Sequence, residues 1–108
     1  MAFDRGLAAR VADALEQIGE RGTRQKNVFG GRGFLVGSRA FAIVWNDGLL
    51  VKLRDDEVAH ARTEPGVTPF APDGETPSRS WLVVAADAIA DDPELIDWLR
   101  RALRSLSR

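Results

Sequence analysis

Between residues 28 and 53 the chain is written as short apolar runs broken at tight-turn signals. That spacing limits the possible fold more than anything else in the sequence. Residues 33–37 and 40–45 carry Phe34, Leu35, Val36, Phe41, Ile43 and Val44, with Ser38-Arg39 between the two runs. Each run is too short for a helix and rich in the residues that favour strands. Asn46-Asp47-Gly48 is a stronger signal, because Asp-Gly readily takes the positive φ angles of a two-residue hairpin turn. In the next run, 49–53, Leu49, Val51 and Leu53 share one face while Leu50 and Lys52 share the other. Strands joined by turns this short must run antiparallel. The pattern predicts a three-stranded meander, with residues 28–31 as a short fourth strand at its head.

Helices flank this core. Phe3, Leu7, Val11, Leu15 and Ile18 recur at spacings of four and three, an amphipathic stripe supported by Ala8, Ala9, Ala12 and Ala14. Gly19 and Gly22 offer stops. The polar TRQKN that follows, residues 23–27, reads as a loop. Asp55 or Asp56 can cap a short second helix, with Glu57 favouring its N-terminus and Glu64-Pro65-Gly66 ending it. Residues 67–79 hold Pro69, Pro72-Asp73-Gly74 and Pro77 and read as a long loop, with a little extended structure at 68–70. Residues 80–85 (SWLVVA) read as a buried strand. Asp92-Pro93-Glu94 opens a last helix whose apolar face is Leu95, Leu99, Ala102, Leu103 and Leu106. The order is α-β-β-β(-β)-α-β-α: an α+β fold in two layers, with helices on one face of an antiparallel sheet.

Composition excludes several classes of function. There is no cysteine, which removes disulfides, thiol catalysis and zinc–thiolate sites, and fits a reducing, cytoplasmic setting. No apolar run approaches the length of a membrane span, and the charged N-terminus is not a secretory signal. The 108 residues suit one domain spanning 1–108. Net charge is −1, but the charges are unevenly spread. From Arg21 to Asn46 every charged side chain is basic, 47–97 is mainly acidic, and the tail is basic again at Arg100, Arg101, Arg104 and Arg108. A solvated face is the simpler explanation; a basic surface for an anionic partner is the sharper one.

The chemistry-bearing residues form no recognisable catalytic set. Gly31-Arg32-Gly33 begins a dinucleotide fingerprint, but Val36 holds the third glycine's position and a strand follows where a helix is required. Positive φ, a bulge or close backbone approach explains the glycines better. His60 is the sole histidine, and none of Ser38, Ser78 and Ser80 stands in a nucleophile motif. The carboxylates Asp55-Asp56-Glu57 and Asp91-Asp92 sit where helices should start, so capping explains them. Trp45, Trp81 and Trp98 read as core or interface anchors, with Leu50 or Trp45 available on the outward sheet face for a dimer contact. No catalytic residue, metal ligand or cofactor is expected.

One family gathers these pieces. Val28-Phe29-Gly30-Gly31-Arg32-Gly33-Phe34 is similar to a Met-Phe-Gly-Gly motif followed by glycine and an aromatic, with Val28 in place of methionine. Arg39-Ala40-Phe41-Ala42-Ile43-Val44, the turn and strand Asp47-Gly48-Leu49-Leu50-Val51-Lys52, Pro69-Phe70, Trp81-Leu82-Val83-Val84 and Asp91-Asp92-Pro93-Glu94-Leu95 follow in the same order. Over roughly residues 24–103 the chain resembles the N-terminal domain of the TfoX/Sxy family, competence regulators and their small relatives. It lacks the tyrosines that relatives place on the strands, and it stops where the first domain of full-length regulators ends. The resemblance implies a stand-alone, secretion-chaperone-like α+β domain, often dimeric, with no established catalytic residues.

Three functions are therefore expected in order. The first is a non-enzymatic domain acting through protein–protein contacts as a homodimer with an unknown protein partner, in transcriptional regulation. The second is a nucleic-acid accessory protein using Arg24, Lys26, Arg32, Arg39 and Arg79. The third is a small-molecule binder or an unknown enzyme using the 67–79 loop as a lid.

Overall fold

The computed structural model describes residues 3–28, 30–46, 48–71, 74 and 76–106. The first helix, α1 (Arg5–Gln17), begins where the Asp4 carboxylate accepts the Leu7 amide hydrogen at 3.0 Å. It ends in a Schellman motif: Gly19, at φ 82°, donates to Glu16 O and Glu20 donates to Leu15 O. Four strands follow in a continuous meander: β1 (Thr23–Val28), β2 (Gly31–Val36), β3 (Arg39–Val44) and β4 (Gly48–Lys52). Then come α2 (Asp55–Ala61), β5 (Val67–Pro69), β6 (Trp81–Ala85), a 3-10 turn (Ala86–Ile89) and α3 (Asp92–Arg104). All pairings are antiparallel, in the order β1-β2-β3-β4-β6-β5.

The α+β architecture is as the sequence predicts, with several local corrections. TRQKN is not a loop. It belongs to β1, so the fourth strand of the meander spans 23–28 and has already ended by Gly30. The hairpin between β2 and β3 turns at Gly37-Ser38, and Arg39 opens the next strand. Asp55 and Asp56 do not cap α2. Arg54 holds the cap position and donates to the Asp56 carboxylate instead. The cap residue of α3 is Asp91, and Asp92 spends its carboxylate on Arg10 of α1. The extended piece of the long loop is β5, a full if short strand. Phe29, Asp47, Pro72 and Asp73, which carry part of the expected turn chemistry, lie outside the described residues.

One apolar cluster joins the helices to one side of the sheet. Leu7, Val11 and Leu15 of α1, Val58 and Ala61 of α2, and Leu95, Trp98, Leu99 and Ala102 of α3 share it with Phe34, Val44, Leu49, Val51, Leu82 and Val84. Between Phe34 and Leu35 the β2–β3 register slips by one residue, a β-bulge. Phe41 and its neighbour Ala42 consequently both join the helix-side core, each fully buried.

The opposite face is not bare. Leu35, Ile43 and Leu50 lie outside the helix-side cluster, yet Leu50 is only 1% exposed. Register places Leu50 and Val83 between the strands whose ends carry Trp45 and Phe70. The rings of Trp45 and Phe70 meet edge to face, their centroids 5.4 Å apart. Leu50 is therefore buried within the chain and not available for the dimer contact that the sequence suggested.

Candidate interaction surface

The five basic residues singled out from the sequence do not share one face. Pairing of Arg24 with Leu35 and of Lys26 with Gly33 sets both cations on the sheet face away from the helices. Arg32 and Arg39 fall on the helix side, at opposite ends of β2 and β3. Arg39 is occupied, donating to Leu106 O at the end of α3 at 3.0 Å. Arg79 is exposed in the segment before β6. Only Arg24, Lys26 and Arg32 gather, around the edge strand β1.

That edge is the open boundary of the sheet. Among the described residues β1 pairs with β2 alone, and four of its residues, Arg24 to Asn27, are exposed. The far edge is β5, three residues long and ending in Pro69, a poor template for further pairing. A free strand edge presents unpaired backbone N–H and C=O groups that can accept a seventh strand.

On the helix side, β1 reaches beyond the cover of α1 and leaves a shallow trough of 460 Å³. Its floor and walls are Phe3, Ala8, Ala9 and Ala12 on one side and Gln25, Asn27 and Arg32 on the other, with Arg5 at the rim. The Arg32 guanidinium lies 5.0 Å from the Phe3 ring centroid, a cation–π contact that holds it in place. Among the described residues, Arg5, Lys26 and Arg32 have no ion-pair partner. Arg24 donates to Gly37 O at 2.9 Å, which holds its side chain against the β2–β3 turn without neutralising it.

Elsewhere Arg10, Arg54, Arg101 and Arg104 are paired with carboxylates, whereas Arg21, Lys52, Arg62, Arg79 and Arg100 have no ion-pair partner among the described residues. Arg104 makes two hydrogen bonds to Glu57, at 2.8 and 3.1 Å, tying α3 to α2. These bonds push the Arg104 pKa up and hold the Glu57 carboxyl below its usual range. Arg101 contacts Glu64 at 2.6 Å and Asp97 at 2.7 Å while stacking 4.2 Å from the Trp98 ring centroid. Burial works against its charge, but the two carboxylates outweigh that and raise its pKa. Much of the basic tail thus serves the α2–α3 contact.

The glycine-rich stretch turns out to be structural. Gly30 takes φ 80° at the turn between β1 and β2. A Cβ on Gly31 would collide with Cδ1 of Trp45 and lie 2.6 Å from both Trp45 Nε1 and Val44 O. Trp45 therefore lies against the Gly31 backbone, and its Nε1 is buried without a hydrogen-bond partner among the described residues. His60 is exposed on α2, and the two acidic clusters occupy helix starts. Among the described residues no His, Asp and Glu group of three or more could hold a metal ion, and no helix is long and apolar enough to cross a membrane.

Sequence reasoning placed the head strand at 28–31 instead of 23–28 and read residues 23–27 as a loop, and so missed Arg5, Gln25 and Asn27 as neighbours of Arg32. Hydrophobic periodicity could not find a strand whose inner residues are all polar; Thr23 and Val28 at its ends are its only strand-favouring residues.

Fold and surface define a class: a small α+β domain whose antiparallel sheet is covered by helices on one side and open along one polar edge. The sequence narrows this further. Residues 13–106 match the TfoX N-terminal domain, and the chain belongs to that family. No curated protein and no solved structure matches the chain significantly.

Proposed function

We propose that this chain is a non-enzymatic protein-interaction domain of the cytoplasm, acting in regulation by accepting an extended segment of a partner along β1. The observation that supports this most is the β1 edge, six residues long and flanked by cations that have no ion-pair partner among the described residues. Family membership fits a regulatory role. The reading includes a homodimer formed away from β1, through the half-buried Trp45, Phe70, Trp81 and Val83 on the face opposite the helices.

A photo-crosslinking residue at Gln25 tests the partner site in the source cells, with the same residue at Arg62, exposed at the end of α2, as control. A specific polypeptide adduct from position 25, missing from position 62, is the expected result. No adduct beyond the control would remove the reading. Light scattering at high micromolar concentration should give twice the monomer mass, and a monomeric result would remove the dimer.

A further inference from the structure

The charges around β1 describe what kind of strand could join it. A second copy of this chain is the first candidate, since free edges often pair with themselves. A two-fold antiparallel pairing of β1 with its own copy must keep each face on its own side. The registers that overlap most of the strand then set Arg24 opposite Lys26, or Lys26 opposite Lys26. Like charges directly opposed destabilise a ladder. The edge is therefore built against its own copy.

The same charges suit an acidic strand, and they do so on both faces. Away from the helices, Arg24 and Lys26 stand two residues apart, at the spacing of successive side chains on one face of a strand. On the helix side, residues opposite Gln25 and Asn27 would overhang the trough, where Arg5 and Arg32 have no acidic partner among the described residues. The trough changes sign along α1. Beside Thr23 its continuation is lined by Asp13, Glu16 and Glu20 with Arg21. Carboxylates are accordingly favoured near Asn27 and disfavoured near Thr23 on that side. An antiparallel partner would enter opposite Asn27, so its helix-side acidic residues lie toward its N-terminal end.

We propose that β1 binds an extended acidic peptide segment of a partner protein, adding it as a seventh, antiparallel strand with carboxylates facing Arg24 and Lys26 on one side and Arg32 and Arg5 on the other. The inference rests on the partner reading above and specifies its chemistry. It favours a peptide over a nucleic acid because a strand edge offers backbone hydrogen bonds that only another polypeptide backbone can complete in register.

The test uses the full chain and three labelled probes: the peptides (Glu-Thr)4 and (Lys-Thr)4, and a single-stranded oligothymidine. Fluorescence anisotropy reads binding, and amide hydrogen exchange reads protection of residues 23–28. The expected result is binding of (Glu-Thr)4 with slowed exchange in β1, weakened at least tenfold by Arg24→Glu with Lys26→Glu. A (Glu-Thr)4 peptide N-methylated at alternate residues, which blocks strand pairing, should bind at least tenfold more weakly. Binding of (Glu-Thr)4 without protection of β1, or insensitive to N-methylation, overturns the strand geometry. Equal binding of (Lys-Thr)4 overturns the charge preference but leaves the partner edge standing. Protection by oligothymidine alone assigns the surface to nucleic acid and overturns the proposal, as does no binding by any probe. The crosslinking at Gln25 is independent of partner charge, so its outcome separates failure of the acidic strand from failure of the partner site itself.

Discussion

Gly31 has no room for a side chain, because the Trp45 indole and the Val44 carbonyl already fill the place of its Cβ. The neighbour that would have to give way includes backbone, so Gly31→Ala cannot be absorbed by a rotamer change alone. We expect it to cost about 1–3 kcal/mol, as overpacking in a filled site does. Urea unfolding followed by tryptophan fluorescence measures this directly, and an unchanged midpoint would contradict the packing described. The need for glycine at this stretch was legible in the sequence; the identity of its tenant was not. Trp45 reaches Gly31 from the end of the adjacent strand, and turn chemistry says nothing about how far a ring reaches across a sheet. Leu50 shows the same limit. Alternation assigned it correctly to the outward face, but only the Trp45–Phe70 contact across that face explains why it is buried.

At the scale of elements, α2 is a seven-residue helix without a side-chain cap, and it is held largely from outside. Val58 and Ala61 bury it, while Glu57 and Glu64 tie it to Arg104 and Arg101 of α3. Because the folded-state pKa of Glu57 is depressed, its contribution is fully present above the unfolded value near 4.5 and fades as pH falls through the folded value. Glu57→Gln should therefore be less stable than the parent at pH 7 by about 0.5 kcal/mol, the size usual for a partly exposed pair. That gap should close on acidification through pH 4. Thermal melts of both proteins across that range check the sign, and a gap that widened in acid would reverse the assignment. Elements with an apolar stripe, such as α1, α3 and the central strands, were readable because burial writes a period into sequence. The strand β1 is paired on one side only and has polar residues on both faces at its centre, so burial left no period there. The candidate site hid in the same place for the same reason. Three of its cations, Arg24, Lys26 and Arg32, were visible as a basic run. Their convergence with Arg5, Gln25 and Asn27 required the strand.

For the molecule as a whole, the strand order carries a consequence for how it is made. The meander from β1 to β4 pairs only neighbours in sequence, so it can close as soon as it is synthesised. The next partner of β4 is β6, which arrives only after α2, β5 and the long connection, with Leu50 facing Val83 and Val51 facing Leu82. Until then Gly48–Lys52 is an unprotected apolar edge, unlike the charged β1 at the other end of the meander. A nascent chain therefore passes through an interval in which its stickiest strand is bare. A fragment of residues 1–64 fixes that interval permanently; it should fall in the insoluble fraction where the whole chain stays in the supernatant. A soluble fragment would mean that another part of the chain shields β4 during synthesis. The residues that close the interval, Trp81–Ala85, act on their own nascent chain as a chaperone's strand acts on a client.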